Sequence, residues 1–331
     1  MRLLGALGAG LLMMMFGVSV YLGLGLMKSG ATRAPARPQP SQILIRLDGT
    51  LYMAQAGSLY QLTGTSLTRL RTGAGDWSQP APMGDGRLVA VSREGNFSDL
   101  YLLAPGGSTI RQLTDDRSAL VETNHWAFYP AVSADDSSVY YSFDRKDPAN
   151  SFRVDLSIWE RSLAGGDARQ LTEPTPYTGG DVQPRVGPDG GIVYTRFGVS
   201  PQSTSQSAIW FSARPGDPGT QLTDPGDNCA QPALSGDGAR LAMICTSGKQ
   251  SAQLVIADFD GHALANRQVL VDNQLAAGPS WSPDGRSLAY LAPAGAALHF
   301  QLWWVTPGNR PLQVTRDLNL DATSAPAWAH R

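Results

Sequence analysis

His125 is one of four histidines in the 331-residue chain, and it lies in an aromatic setting, "NHWAFY" (124–129). An imidazole held by a carboxylate beside a substrate cleft is a general base. Asp181 is the acid partner that the sequence offers at the next comparable position. Oxygen-bearing side chains recur at such positions: Asp76 beside Trp77, Asn124, Asp181, Asp227 with Asn228, Asn273 and Asp321. A ring of these oxygens would suit a hard cation such as Ca2+ or the amide groups of a peptide. The plainer alternative is that each Asp or Asn caps its own turn. His125, likewise, is either a base or a ring packed within its loop. Trp126, Phe128 and Tyr129 are either anchors for a partner, since aromatics dominate interface hot spots, or filling. Stacking on sugar rings would use Trp77, Trp126 and Tyr177. Other catalytic signatures are missing: there is no G-x-S-x-G elbow, H-E-x-x-H, C-x-x-C or phosphate-binding loop. No catalytic residue is assigned, and no cofactor is expected beyond a cation at that ring.

The elements that must hold these residues are written as a repeat. "PSWSPDGRSLAY" from Pro279 has relatives at Pro232, Pro184, Pro130 and Pro80, spaced 47, 48, 54 and 50 residues apart. In all five an Asp stands five residues after the Pro, at 85, 135, 189, 237 and 284, and an apolar run follows. A second element recurs downstream: "LYLLAPGGSTIRQLT" (100–114), "IWERSLAGGDARQLT" (158–172), "IWFSARPGDPGTQLT" (209–223) and "LWWVTPGNRPLQVT" (302–315), with "LVIADFDGHALANRQVL" (254–270) degenerate. Each unit reads as four short strands: Pro-x-x-x, an Asp-Gly turn, a return strand, then two more joined by a Gly-rich turn. A four-stranded sheet cannot bury both faces alone, so such units pack radially as propeller blades. Trp159, Trp210 and Trp303 share one repeat position and read as packing, and Trp281 as packing between blades.

"APAWAHR" (325–331) begins a sixth unit with a first strand only. The missing strands lie at the front: "LYMAQAGSLYQLT" (51–63) as third and fourth, and "ILIRL" (43–47) as second. The expectation is an all-β, six-bladed propeller closed by a carboxy-terminal strand. Asp-Gly turns then share one face, and the other carries the second-to-third loops and the inter-blade connections. The longest segments fall on that second face: 144–157, 198–208, and the connections 64–79 and 115–129. Loop enlargement on one side of a rigid scaffold is where function is usually carried. The candidate binding residues are therefore Asp76, Trp77, Asn124, His125, Trp126, Tyr129, Tyr177, Asp181, Asp227, Asn228 and Asp321.

"WSPDGRSLAY" followed by "LWWVTPGNRPLQVT" resembles the repeat of the TolB-type propeller family, over about residues 43–331. The resemblance implies a bacterial, often extracytoplasmic, protein- or peptide-binding module rather than an enzyme. The chain departs from the family pattern in having no room for an amino-terminal α/β domain. A propeller enzyme (polysaccharide lyase or hydrolase) or a carbohydrate-binding module is the alternative. The expected partner is an envelope protein or peptide, bound by a monomeric propeller.

Leu3–Met27 is an uncharged run of 25 residues between Arg2 and Lys28, and about 20 suffice to cross a bilayer as a helix. Residues 1–28 therefore read as a single-pass anchor in the cytoplasmic membrane, with "SGA" (29–31) as the cleavage site should the segment instead be a signal peptide. Residues 29–42 form a Pro-rich spacer, and 43–331 the propeller. Lys28, Arg33 and Arg37 follow the run, which by the positive-inside rule would keep the propeller in the cytoplasm. The resemblance places it outside, and that is the expectation. Net charge is −2, which leaves no basic footprint for nucleic acid. Cys229 and Cys245 would face each other if "GDG" (236–238) turns a hairpin, so they are either a cross-strand disulfide or two small unpaired residues.

Overall fold

The computed structural model describes residues 43–144, 155–246, 252–272 and 274–329. The anchor and spacer expected over 1–42, most of the loop 144–157, and Asn273 lie outside them. Among the described residues no helix is long and apolar enough to cross a membrane. The strands form six four-stranded antiparallel sheets. Blade I runs outward from Asp76–Pro82 through Leu88–Arg93 and Ser98–Leu103 to Thr109–Gln112. Blades II to V begin at the centre with Ala127–Val132, Asp181–Val186, Cys229–Leu234 and Ala277–Trp281. Buried apolar residues form six clusters, one at every junction between neighbouring blades. A twisted sheet of short strands has no core of its own, and stacking supplies it.

Blade VI closes the ring with Ala327–Trp328 as its inner strand, pairing Leu51 with Trp328 and Tyr52 with Ala327. Its remaining strands are shifted from the sequence expectation. Leu47–Gln55 is the second strand, Ser58–Gly64 the third and Ser66–Arg69 the fourth. The chain turns at Ala56-Gly57, both at positive φ (48° and 69°). Leu51 to Ala54 are all buried, and a run buried on both faces belongs inside a sheet. "ILIRL" is therefore not the second strand. Ile43 bridges Thr315, and the Leu44 N–H donates to the Val314 carbonyl (2.8 Å), on the outer edge of blade V. The connection 64–79 is correspondingly shorter, because the fourth strand occupies part of it.

The recurring letters are hydrogen-bonding devices. The Thr of "QLT" accepts the third-strand N–H in four blades: Thr114 from Leu100 (3.0 Å), and Thr172, Thr223 and Thr315 from Ile158, Ile209 and Leu302 (2.9 Å each). The Gln before it caps that threonine's own carbonyl at Gln170, Gln221 and Gln313. Each interaction satisfies an edge that a two-residue fourth strand would leave open. At the first-to-second turns, Asp-Gly except for Asp135-Asp136 in blade II, a serine hydroxyl donates to the Asp: Ser133 to Asp135, Ser235 to Asp237 and Ser282 to Asp284 (2.5–2.6 Å). Bonds from Ser133 and Ser137 hold the Asp135 carboxyl down at about 2. The Asp and Gly of "WSPDGRSLAY" are thus turn architecture.

At the centre the inner strands of blades I to V each carry a bulge at the residue before the proline. Gln79, Tyr129, Gln183 and Gln231 stand there at φ of 52–58°, a region that side chains enter rarely. A bulge also turns the N–H out of its own ladder. The neighbouring blade receives it. Gln79 Oε1 accepts from Tyr129 N (2.6 Å), Ser142 Oγ from Gln183 N (3.1 Å), Gln183 Oε1 from Gln231 N (3.0 Å) and Gln231 Oε1 from Gly278 N (2.6 Å). Ser324 Oγ, in blade VI, accepts from Gln79 N (2.7 Å). Five of the six junctions are thus joined in sequence round the channel. At the sixth, Gly278 (φ 56°) lies so close to Ala325 that an added Cβ would stand 2.9 Å from its Cα.

Cys229 and Cys245 face each other in blade IV and form a disulfide, with Cα atoms 4.1 Å apart. Reducing it should lower stability by about 3 kcal/mol, the loop-closure value for a ring of this size, read as a denaturation midpoint with and without reductant. Gln231→Ala leaves the Gly278 N–H without its acceptor. It should cost about 1–3 kcal/mol in the same assay, and more than alanine at the exposed Gln221.

Candidate functional site

The six inner strands enclose a central channel of about 540 Å³. Gln79, Tyr129, Gln183 and Gln231 line it together with Pro80, Pro130, Pro279 and Pro326. The next repeat position is Ala81, Ala131, Arg185, Ala233, Ser280 and Ala327 in blades I to VI. Arg185 is the only charged residue among the described residues lining the channel. Burial pushes its guanidinium down to about 10, so it remains a cation at neutral pH. Sequence reasoning missed it, although the repeat alignment contained the signal: one column holds five small residues and a single arginine.

The candidate residues at the channel mouth separate into distinct roles. Trp77 is buried, edge-on to Tyr101 (5.2 Å), and its indole N–H donates to the Gly73 carbonyl (3.0 Å), so it is packing rather than an anchor. Asn124 is buried and its Oδ1 accepts from Ser118 N (2.6 Å). Asp181 is fully buried in a two-pronged pair with Arg196 (2.6 and 2.7 Å). It does not serve His125, whose Nδ1 lies 2.6 Å from the Asp144 carbonyl oxygen. Asp227 pairs with Arg267, Asn228 Oδ1 accepts from Ser207 N (3.1 Å), and Asp321 Oδ1 accepts from Thr323 N (3.0 Å). Asp76 is half-buried beside Gly57. Asp181, Asp227 and Asp321 are held within their own blades or turns, while Asn228 reaches back to blade III. Among the described residues no three His, Cys, Asp or Glu side chains come together to hold a metal.

The aromatics fare differently. Trp126 stacks on Phe128 (5.6 Å), Phe128 lies 6.0 Å from Tyr129, and the Arg93 guanidinium sits 5.5 Å over Trp126. This half-buried series leads from the connection before blade II to Tyr129 in the channel wall. Tyr177 is 67% exposed. Its loop is held by Asp155, whose carboxylate accepts from the N–H groups of Tyr177, Thr178 and Gly179 (2.8–3.1 Å). Trp159, Trp210 and Trp303 are packed against Phe143, Arg196 and Tyr290, and Trp281 donates across the blade junction to the Ala233 carbonyl (3.0 Å).

Exposed large apolar residues divide sharply by face. Leu120, Val121, Tyr177, Val199, Leu275 and Leu298 are all exposed, and all lie in the connections and second-to-third loops of one face. Leu44, Ile110, Val269 and Leu312 lie at the outer rim. The Asp-Gly face has none among the described residues.

Six four-stranded blades, closed by pairing between segments from opposite ends of the chain, define a β-propeller. Its solved counterparts include TolB from Acinetobacter baumannii, 18% identical over 86% of this chain and 67% of that one, with a TM-score of 0.65. A putative TolB from Agrobacterium tumefaciens is 15% identical over 85% and 93% of the two chains (TM-score 0.59). The chain therefore has the TolB-type six-bladed propeller fold. A gluconolactonase from Xanthomonas campestris shares it at 15% identity over 87% and 91% (TM-score 0.53), so the fold alone assigns no activity. The sequence matches no protein-family model and no curated protein.

One buried acidic pair lies beneath the connection before blade II. Asp99 Oδ1 accepts from Thr114 Oγ1 (2.9 Å) and from Asp116 N (2.8 Å), while Asp116 Oδ2 is buried without a partner. Burial first, then the Asp99 charge, pushes the Asp116 carboxyl up to about 7. The folded chain then holds a proton that the unfolded chain has released above about pH 4, so this group's contribution falls as pH rises from about 4 to about 7. Asp116→Asn should equal or exceed the wild-type melting temperature at pH 8. Its advantage should shrink as pH falls to 4, measured by thermal denaturation across that range.

Proposed function

We propose that this chain is a membrane-tethered, extracytoplasmic β-propeller that binds a protein or peptide of the bacterial envelope through its loop face. The observation that carries this reading is the confinement of six exposed large apolar residues to the loop face and its absence from the Asp-Gly face. Exposed apolar groups gathered on one surface mark interaction sites. Tyr177 is the best-formed anchor, because the Asp155 carboxylate fixes its loop before any partner arrives, and a pre-ordered aromatic loses little entropy on binding. The disulfide of Cys229 and Cys245 suits an oxidising compartment. The uncharged run at Leu3–Met27 supports the tether. The solved TolB propellers share the fold, and the repeat's resemblance to that family implies the same role.

Chemical crosslinking from an engineered Cys at position 178 in intact cells, followed by mass spectrometry, would identify the partner. Tyr177→Ala and Leu298→Ala are both surface changes. Each should weaken binding of that partner about tenfold or more, the loss of a hot spot, with an unchanged melting temperature. Undiminished affinity in the double variant would refute the loop-face assignment.

A further inference from the structure

The channel wall is built from small and neutral groups, and one arginine breaks that pattern. Five blades place Ala or Ser at the position after the inner proline, so the fold does not require a long side chain there. Arg185 has no carboxylate partner among the described residues. Its one hydrogen bond runs from Nη1 to the carbonyl of the adjacent Pro184 (3.1 Å). Arg196, the fifth residue of the next strand of the same blade, shows what a structural arginine looks like here: Asp181 holds it with two bonds. A half-buried cation without a counter-charge is costly. A residue that the architecture does not need, kept at such a cost, is typical of a ligand site.

We propose that the central channel binds a carboxylate, with the guanidinium of Arg185 as its counter-charge. The cavity volume of about 540 Å³ falls within the range of small-ligand pockets. A guanidinium matches a carboxylate with two parallel N–H donors. A single cation in an otherwise neutral wall balances one negative charge, which favours a carboxylate over a phosphate dianion. The carboxylate could come from a small organic acid or from the carboxy-terminus of a peptide. This site rests on the channel alone and stands or falls separately from the loop face.

The test is calorimetric titration of the propeller at pH 7 with four probes. These are acetyl-trialanine with a free carboxyl terminus, the same peptide as its amide, butyrate, and inorganic phosphate. The free-acid peptide should bind at least tenfold more tightly than the amide and more tightly than phosphate. Arg185→Gln should lose at least tenfold in that affinity, as for a charge-assisted bond, with a melting temperature equal to or above wild type. Binding of butyrate as well assigns a small acid. Binding of the peptide acid alone assigns a chain terminus. The proposal is overturned if neither carboxylate binds at concentrations up to about 10 mM, if acid and amide bind equally, or if Arg185→Gln leaves binding intact. A lowered melting temperature for Arg185→Gln would make the arginine structural and overturn it as well.

Discussion

The structure depends on how five of the six inner strands manage the backbone distortion before their prolines. Four of these positions hold non-glycine residues at positive φ, each costing about 1–3 kcal/mol unless its surroundings fix it. What fixes it is the next blade: a Gln or Ser side chain accepts the N–H that the bulge turns away from its own sheet. Distortion in one blade thus becomes adhesion to another. The same bulges aim the following residue at the channel, so the geometry that joins the blades also positions Arg185.

Much of this was legible in the sequence, because its strongest signals are local. The Asp-Gly turns, the "QLT" closures and the 47–54-residue spacing each involve residues close along the chain, and they gave six blades and two unequal faces. Register at the front of the chain was not legible. "LYMAQAGSLYQLT" imitates a third strand, a turn and a fourth, and only its pairing with Ala327 and Trp328 makes Leu47–Gln55 a second strand. The Gln79–Tyr129 and Gln183–Gln231 contacts span about 50 residues each, and a glutamine alone carries no mark of what its amide will meet.

The site divides along the same line. Asp and Asn residues at the mouth were open to two readings, ion ring or turn caps; the bonds at Asn124 and Asp321 are local caps, and Asn228 instead joins Ser207 of the preceding blade. Asp181 is instead paired with Arg196 in the neighbouring strand, which no spacing argument isolates. The aromatic series from Trp126 to Tyr129 links the loop face to the channel wall. Blade II therefore borders both the loop face and the channel.

Blade VI has a consequence for time as well as architecture. Its central pairing joins Leu51 to Trp328, contacts that must wait for nearly the whole chain to be available. Contacts between such distant residues form slowly, because a large loop must be closed before they stabilise anything. A chain that has not made this pairing lacks the apolar partners that blade VI supplies to blades V and I, so closing the ring and completing those two junctions are one event.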